Sequence, residues 1–212
     1  MLDHAPRFDP ASAVRLARDL FGLDATARTL TSERDQNFLL ETTTGERRVL
    51  KIANAIEEPA MLEAQQRAMG HLASSFPFAP RVVATHSGAA VADVVAPDGR
   101  HHLAWAITHL PGVPLAAVHH RSPALFQDLG VRIGQLSRTL ADFDHPAIHR
   151  EFYWDLARGR QVIAEHRPLV DDRDLGAAID AFVVRFDREV APLLPSLRHS
   201  AVHNDLDRKS VV

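Results

Sequence analysis

The chain has 212 residues, 46% of them hydrophobic and 24% charged, with a formal net charge of −3. That is enough for one large domain or two small lobes with a real core, and the charge gives no reason to expect nucleic acid or an anionic membrane as partner. The absence of cysteine excludes disulfides, thiolate metal sites and cysteine nucleophiles. Met1-Leu2-Asp3-His4-Ala5-Pro6-Arg7 lacks the basic segment and apolar run of a signal peptide. No apolar stretch approaches the roughly 20 residues that span a bilayer, so a soluble, cytoplasmic protein is expected.

Asp9-Pro10 predicts a helix start, with aspartate as the N-cap and proline at the first helical position. Val14, Ala17, Leu20 and Phe21 follow at helical spacing, and Gly22 ends the run. From Ala27 to Ala53 the pattern turns to strands. One run closes at Leu30, and Ser32 to Asn37 reads as a polar turn. Phe38–Thr42 is a second run, Thr43-Thr44-Gly45-Glu46 a tight turn, and Arg47–Ile52 a third run. In that third strand Leu50 and Ile52 share one face, while Lys51 shares the other with Val49 and Ala53. A lysine between apolar neighbours in a central strand must reach solvent, a cleft or a counter-charge; snorkelling to solvent is the bland alternative.

Glu57-Glu58-Pro59 opens a second helix with acidic residues at its positive end. Leu62, Met69 and Leu72 mark its buried side. Glu63 could reach back to Lys51 or pair with Arg67 at i+4, and the helix alone favours the surface pair. Pro77 and Pro80 precede Arg81–Thr85; Ala89–Val95, the turn Pro97-Asp98-Gly99-Arg100, and His101–Leu110 then read as a hairpin. Together these runs predict a mostly antiparallel sheet of about five strands with one helix across it, a small α+β lobe.

His109-Leu110-Pro111-Gly112-Val113-Pro114-Leu115 holds the best candidate linker. Beyond it the pattern is helical. Ser122-Pro123 caps a long helix with Leu125, Leu129, Ile133, Leu136, Leu140 and Phe143 on one face, expected as a core helix. Another helix is expected to begin at 152–156, and a third over Asp174–Leu194. The expected division is residues 1–110 as an N-terminal nucleotide-binding lobe, 111–114 as linker, and 115–212 as a partial helical lobe.

Ser200-Ala201-Val202 reads as a short buried strand running into His203-Asn204-Asp205. That would put the Asp205 carboxylate on a loop leaving a strand. Phosphoryl transfer needs such a carboxylate, rigidly held, to orient a hydroxyl and accept its proton. His-x-Asp alone is a weak signal, more often an ordinary polar loop. The thirteen histidines do not make a zinc site: the adjacent pairs His101-His102 and His119-His120 diverge on strands and do not converge on helices, and no His-Glu-x-x-His spacing occurs. No Gly-x-Ser-x-Gly marks a serine hydrolase.

The order of these features resembles the kinase-like phosphotransferases: a strand lysine, a helix glutamate, a Pro/Gly linker, then His-x-Asp after a core helix. Within them it is most similar to the aminoglycoside phosphotransferase and choline kinase group, nearest to hydroxylysine kinase and its bacterial relatives. The phrases that carry the likeness are Val49-Leu50-Lys51-Ile52, Leu62-Glu63-Ala64-Gln65, Leu110-Pro111-Gly112-Val113-Pro114, His149-Arg150-Glu151-Phe152 with Trp154-Asp155-Leu156, and His203-Asn204-Asp205-Leu206. The resemblance implies a protein-kinase-like two-lobe fold, with an antiparallel sheet lobe and an incomplete helical lobe. It implies transfer of the γ-phosphate of ATP or GTP, with Mg²⁺, to a hydroxyl of an amino-alcohol-type substrate such as hydroxylysine or an aminoglycoside. Lys51 would hold the α/β-phosphates and Glu63 would pair with it. The loop Ser32 to Asn37 would cover the phosphates through backbone N–H groups and the Ser32 hydroxyl. The linker around His109 and Leu110 would meet the purine edge, Asp205 would be the base, and His203 would orient its loop.

Two departures qualify this. Ser210 stands where the family has a metal-binding asparagine, and Lys209 beside it would repel the ion. The family's second metal-binding aspartate has no counterpart before Val212, leaving Asp205 and Ser210 as the expected Mg²⁺ ligands. The expectation is a truncated phosphotransferase with negligible activity as this chain, with room for further domains after residue 212. The alternative is a non-catalytic nucleotide-binding or structural module of a larger multidomain protein.

Overall fold

A computed structural model of the chain describes residues 4–151, 153 and 155–203. They fall into two compact units. One runs from the N-terminus through Ala147 and takes in the chain again from Ala201; the other is Ile148–Ser200. Residues 111–114, expected as a linker, lie within the first unit.

The first unit begins with helix α1, Pro10–Phe21, whose bounds follow from its caps. The Asp9 carboxylate accepts from the Ser12 N–H at 2.7 Å, and Gly22 closes the helix in the left-handed region at φ 66°. Strands β1 (Ala25–Leu30), β2 (Gln36–Thr42) and β3 (Arg47–Ile52) form an antiparallel meander. Helix α2 (Pro59–Leu72) crosses from β3 to the short strand β4 (Val82–Val83), followed by the hairpin β5 (Ala92–Val95) and β6 (His101–Thr108). Among the described residues the sheet is antiparallel throughout, in the order β1-β2-β3-β6-β4, with β5 pairing farther along the same edge of β6 as β4. The α+β lobe expected from the sequence is therefore present, with six strands where about five were expected, because the short β4 and β5 both pair with β6.

Strand β2 starts before the expected Phe38. Gln36 and Asn37, which look like turn residues, pair with Ile52 and Lys51. Gln36 fits a half-buried strand end because both ends of its amide are bonded: it accepts from the Phe8 N–H at 2.8 Å and donates to the Phe8 carbonyl at 2.7 Å.

Strand alternation sorts two cores. Phe38, Leu40, Leu50, Ile52, Ala104 and Ala106 point to one face, where Ala13, Ala17 and Phe21 of α1 cover them. Ala53 and Trp105 point to the other face and pack with Leu62 of α2. Lys51 shares this second face, because its cross-strand partners are Asn37 and Trp105.

Helix α3 (Pro123–Thr139) starts at Ser122, whose hydroxyl accepts from the Leu125 N–H at 3.2 Å. It was expected to be a core helix, but only its end is buried. Leu136 and Leu140 join Leu72 and Phe76 in a small cluster, while Leu125, Leu129 and Ile133 stay half-buried. His71 of α2 fastens this end, with Nε2 2.8 Å from the Thr139 carbonyl and 3.1 Å from the Asp142 carboxylate.

In the second unit, a 3-10 turn at Leu156–Arg158 leads into α4 (Gly159–His166), and α5 (Arg173–Glu189) follows. Helix α5 stops short of the expected Leu194 and gives way to a 3-10 segment, Ala191–Ser196, because Pro192 cannot donate the helical bond. Arg167 bridges back to α5, its Nε and Nη2 each 2.9 Å from the two Asp180 carboxylate oxygens. Each group shifts the other: the hydrogen bond from Arg167 lowers the Asp180 pKa, and Asp180 raises that of Arg167. No helix among the described residues is long and apolar enough to cross a membrane.

Candidate functional site

The site is built around Lys51, on β3 between β2 and β6. Its side chain is half-buried, and Nζ donates to Asn37 Oδ1 at 3.1 Å. The ammonium lies 5.5 Å from the centroid of the Trp105 ring, within cation–π range. Burial is the largest influence on this amine and lowers its pKa, while the Asp35 charge pulls it back up. A lysine in this setting holds its charge at a cost and gains most from an anion that replaces the lost water.

The β1–β2 connection, residues 31–35, passes close to this amine. It is tied to the segment after β3 by Asn54, a buried polar residue. The Asn54 N–H donates to Asp35 Oδ1 at 3.1 Å, and its side-chain amide donates to the Arg34 carbonyl at 3.3 Å. Asn54 Oδ1 accepts from the Ile56 N–H at 3.2 Å, and its carbonyl from the Glu57 N–H at 2.9 Å. Arg34 adds an ion pair to Glu57 at 3.3 Å. Ser32 is exposed in this loop.

Glu63 does not pair with Lys51. Its carboxylate accepts from Arg67 one helical turn on, at 2.7 Å from Nη2 and 2.9 Å from Nε. The helix spacing favours this pair, and the α2 residue facing the sheet next to Trp105 is Leu62. The pairing implied by the resemblance is therefore absent among the described residues. His109 and Leu110 are half-buried at the end of β6, where the His109 N–H donates to the Arg47 carbonyl at 3.4 Å.

The buried strand expected at 200–202 is not formed. Ala201 is half-buried and packs with Leu72, Phe76, Leu136 and Leu140, whereas Val202 and His203 are exposed in irregular chain. Its neighbours lie on helices and turns, which offer no strand edge to pair with. Asn204, Asp205 and Ser210 lie outside the described residues.

Residues 26–211 match the model of the phosphotransferase enzyme family. The chain belongs to this family. Hydroxylysine kinase of Danio rerio is 26% identical over 212 residues, an alignment covering 95% of this chain and 59% of that protein. The chain thus spans 59% of the length of the curated relative it matches. Among solved structures, an amicoumacin kinase in complex with AMP-PNP and Ca²⁺ superposes with a TM-score of 0.61 at 17% identity, covering 91% of this chain and 55% of that one. A microcompartment-associated aminopropanol kinase gives 0.53 at 19% identity, over 71% and 46% of the two chains. At these identities the structural likeness concerns the fold, an antiparallel sheet lobe followed by a helical region as in the kinase-like phosphotransferases.

For a phosphotransferase, the described residues supply a strand lysine and a loop tied down beside it. Among the described residues no group of three His, Asp or Glu side chains could hold a metal ion. Sequence reasoning missed Asn54, Trp105 and Asp35. Asn54 had one available signal: it is a polar residue directly after Ile52 and Ala53 at the end of the third strand, where a turn would leave it exposed and a core would require it to be bonded.

Proposed function

We propose that this chain carries the nucleotide-binding part and catalytic loop of a cytoplasmic small-molecule kinase. It would move the γ-phosphate of ATP or GTP to a hydroxyl of an amino-alcohol-type acceptor, of the hydroxylysine or aminoglycoside kind. The observation that carries the reading is the half-buried Lys51 ammonium on a central strand beside the tied loop 31–35, in a chain of this family. Lys51 meets the α/β-phosphates as a point charge in a partly dry setting. Ser32 and the loop backbone offer N–H and O–H donors to the same phosphates, and Asn37 keeps the Lys51 amine directed at them. His109 and Leu110 follow β6, and the His109 carbonyl and the Leu110 backbone would meet a purine edge.

Asp205 is the proposed base, accepting the acceptor hydroxyl's proton as the phosphoryl group leaves, with His203 steadying its loop. Mg²⁺, held through Asp205 and through the weaker hydroxyl ligand Ser210, would neutralise phosphate charge. The relatives lend support to the acceptor class, since their names specify hydroxylysine and aminopropanol.

Thermal unfolding of the chain with ATP and with GTP, each with and without Mg²⁺, tests the binding half. At least one nucleotide raises Tm, and Lys51→Met weakens binding by roughly 10- to 100-fold, the worth of a charge-assisted hydrogen bond. Equal nucleotide affinity in Lys51→Met sinks the reading. Phosphate transfer to hydroxylysine, aminopropanol and an aminoglycoside tests the other half: this chain, which spans 59% of its curated relative, is expected to turn over negligibly, and transfer well above an Asp205→Asn control would overturn that.

A further inference from the structure

Three residues stand in one row across the middle of the sheet: Asn37 of β2, Lys51 of β3 and Trp105 of β6, each the register partner of the next. Side chains paired in this way lie within contact reach. Asn37 takes one bond of the ammonium, with Nζ 3.1 Å from its Oδ1. On the opposite side the Trp105 ring lies under the same cation, its centroid 5.5 Å from Nζ. The carboxylates around them are engaged elsewhere. Glu63 is bonded to Arg67 and Glu57 to Arg34, while Asp35, whose charge also acts on the amine, accepts from the Asn54 N–H.

The Trp105 ring is held firmly. It is 3% exposed and clusters with Ala53 and Leu62, against which Met69, Val91, Leu103 and Ile107 pack. Its indole N–H is buried without a partner among the described residues, a cost that phenylalanine would avoid in the same apolar surroundings. Packing alone therefore gives no reason for an indole here. Its face does, because indole is the best of the aromatic platforms for a cation, and this cation is half-buried.

We propose that Trp105 is the positioning residue for the Lys51 ammonium, its ring face and the Asn37 carboxamide gripping the amine from the two flanking strands in place of a helix carboxylate. Both grips belong to strands paired with β3, so the amine keeps its orientation wherever α2 carries Glu63. Both are also uncharged. A carboxylate partner would offset the positive charge, whereas a ring and an amide leave it whole for an incoming anion.

The inference deepens the nucleotide-binding reading and rests on it for the identity of that anion, but its test needs no turnover. Lys51 and Lys209 are the two lysines of the chain, so acylation of Lys51 is readily followed by mass spectrometry of the peptides, from neutral to alkaline pH and without nucleotide. Trp154→Phe leaves Trp105 as the one tryptophan. Biosynthetic replacement by mono-, di- and tetrafluorotryptophan then draws electron density from the ring face in steps, with little change in its shape and none in the neighbouring charges. Only hydrogens are exchanged, so the series avoids a truncation that the core would not survive. Each step is expected to lower the pH midpoint of labelling, and at a fixed pH below it the tetrafluoro chain labels roughly three- to tenfold faster than the unfluorinated one. Asn37→Leu shifts the midpoint the same way, and Glu63→Gln leaves it in place. A midpoint indifferent to fluorination reduces Trp105 to core filling and overturns the proposal, as does a Glu63→Gln shift as large as the tetrafluoro one. Adding AMP-PNP to the parent separates the two ideas: failure to shield Lys51 tells against nucleotide binding alone, and the hold of the ring is still judged by its midpoints.

Discussion

At the scale of single residues, Lys51 shows what an ammonium costs when a strand carries it inward. Its folded pKa lies below the ordinary 10.5, because burial outweighs the help from Asp35. For a base shifted in this direction the folded state binds its proton less readily than the unfolded chain. Stability then rises with pH across the interval between the folded value and 10.5. Lys51→Met should therefore stabilise the chain at neutral pH and lose that advantage as pH climbs toward 10.5; a denaturation series from pH 7 to 11 reads both trends. Asp9 has the opposite sign. Its bonds from Ser12 lower its pKa below 3.8, so its capping is complete above 3.8 and is lost as pH falls through the folded value. Asp9→Asn keeps the cap's acceptor, and its Tm should fall less than the parent's between pH 5 and 2. The Lys51 position was legible because a basic residue stood alone among apolar neighbours on a central strand. Asn54 was not, because the same residue type serves exposed turns and fully bonded interiors, and only the partners distinguish them.

At the scale of elements, boundaries were readable where a cap carries its own chemistry. Asp9-Pro10 and Gly22 fix α1 at both ends, and Ser122-Pro123 fixes the start of α3. They were misread where tertiary partners redefine polar residues. Gln36 and Asn37 belong to β2 because Phe8 and Lys51 use their amides, and no local pattern announces that. The α3 stripe was read as core from spacing alone, yet periodicity reports which side faces inward and not how much covers it. Gly22 is the element-scale position with least freedom. A Cβ there would sit 2.5 Å from His86 Cε1, on a backbone at φ 66° that side chains avoid. Gly22→Ala should destabilise the sheet unit by about 2 kcal/mol, from left-handed strain of about 1–2 kcal/mol plus displacement of His86. Urea titration measures it, and a change under about 0.5 kcal/mol, the range of an uneventful surface substitution, would contradict the account.

At the scale of the whole molecule, the two units differ in how much they bury. The sheet unit encloses Phe38, Leu40, Leu50 and Ile52 completely. In the described part of 148–200 the only buried residue is Gly176, while Leu156 and Phe182 are 89% and 62% exposed. Opening free energy follows buried apolar contact. Amide hydrogen exchange should therefore be fastest in α4 and α5 and slowest in β2, β3 and β6. Equal protection across both units would show that the helices draw stability from contacts other than their own packing. Gly176 is also where that unit is tightest: a Cβ would overlap the Arg167 guanidinium, so the residue keeps room for the Arg167–Asp180 bridge.

Trp105 turns the lysine pocket into an optical gauge. The chain has two tryptophans, and with Trp154→Phe the indole at 105 would emit alone. That ring is 3% exposed, its N–H is buried without a hydrogen-bond partner among the described residues, and a cation rests over its face. Its emission should be blue-shifted and poorly quenched by acrylamide. Anything that draws the ammonium away from the ring should change its brightness, giving a label-free titration signal at the residue on which the proposed activity turns.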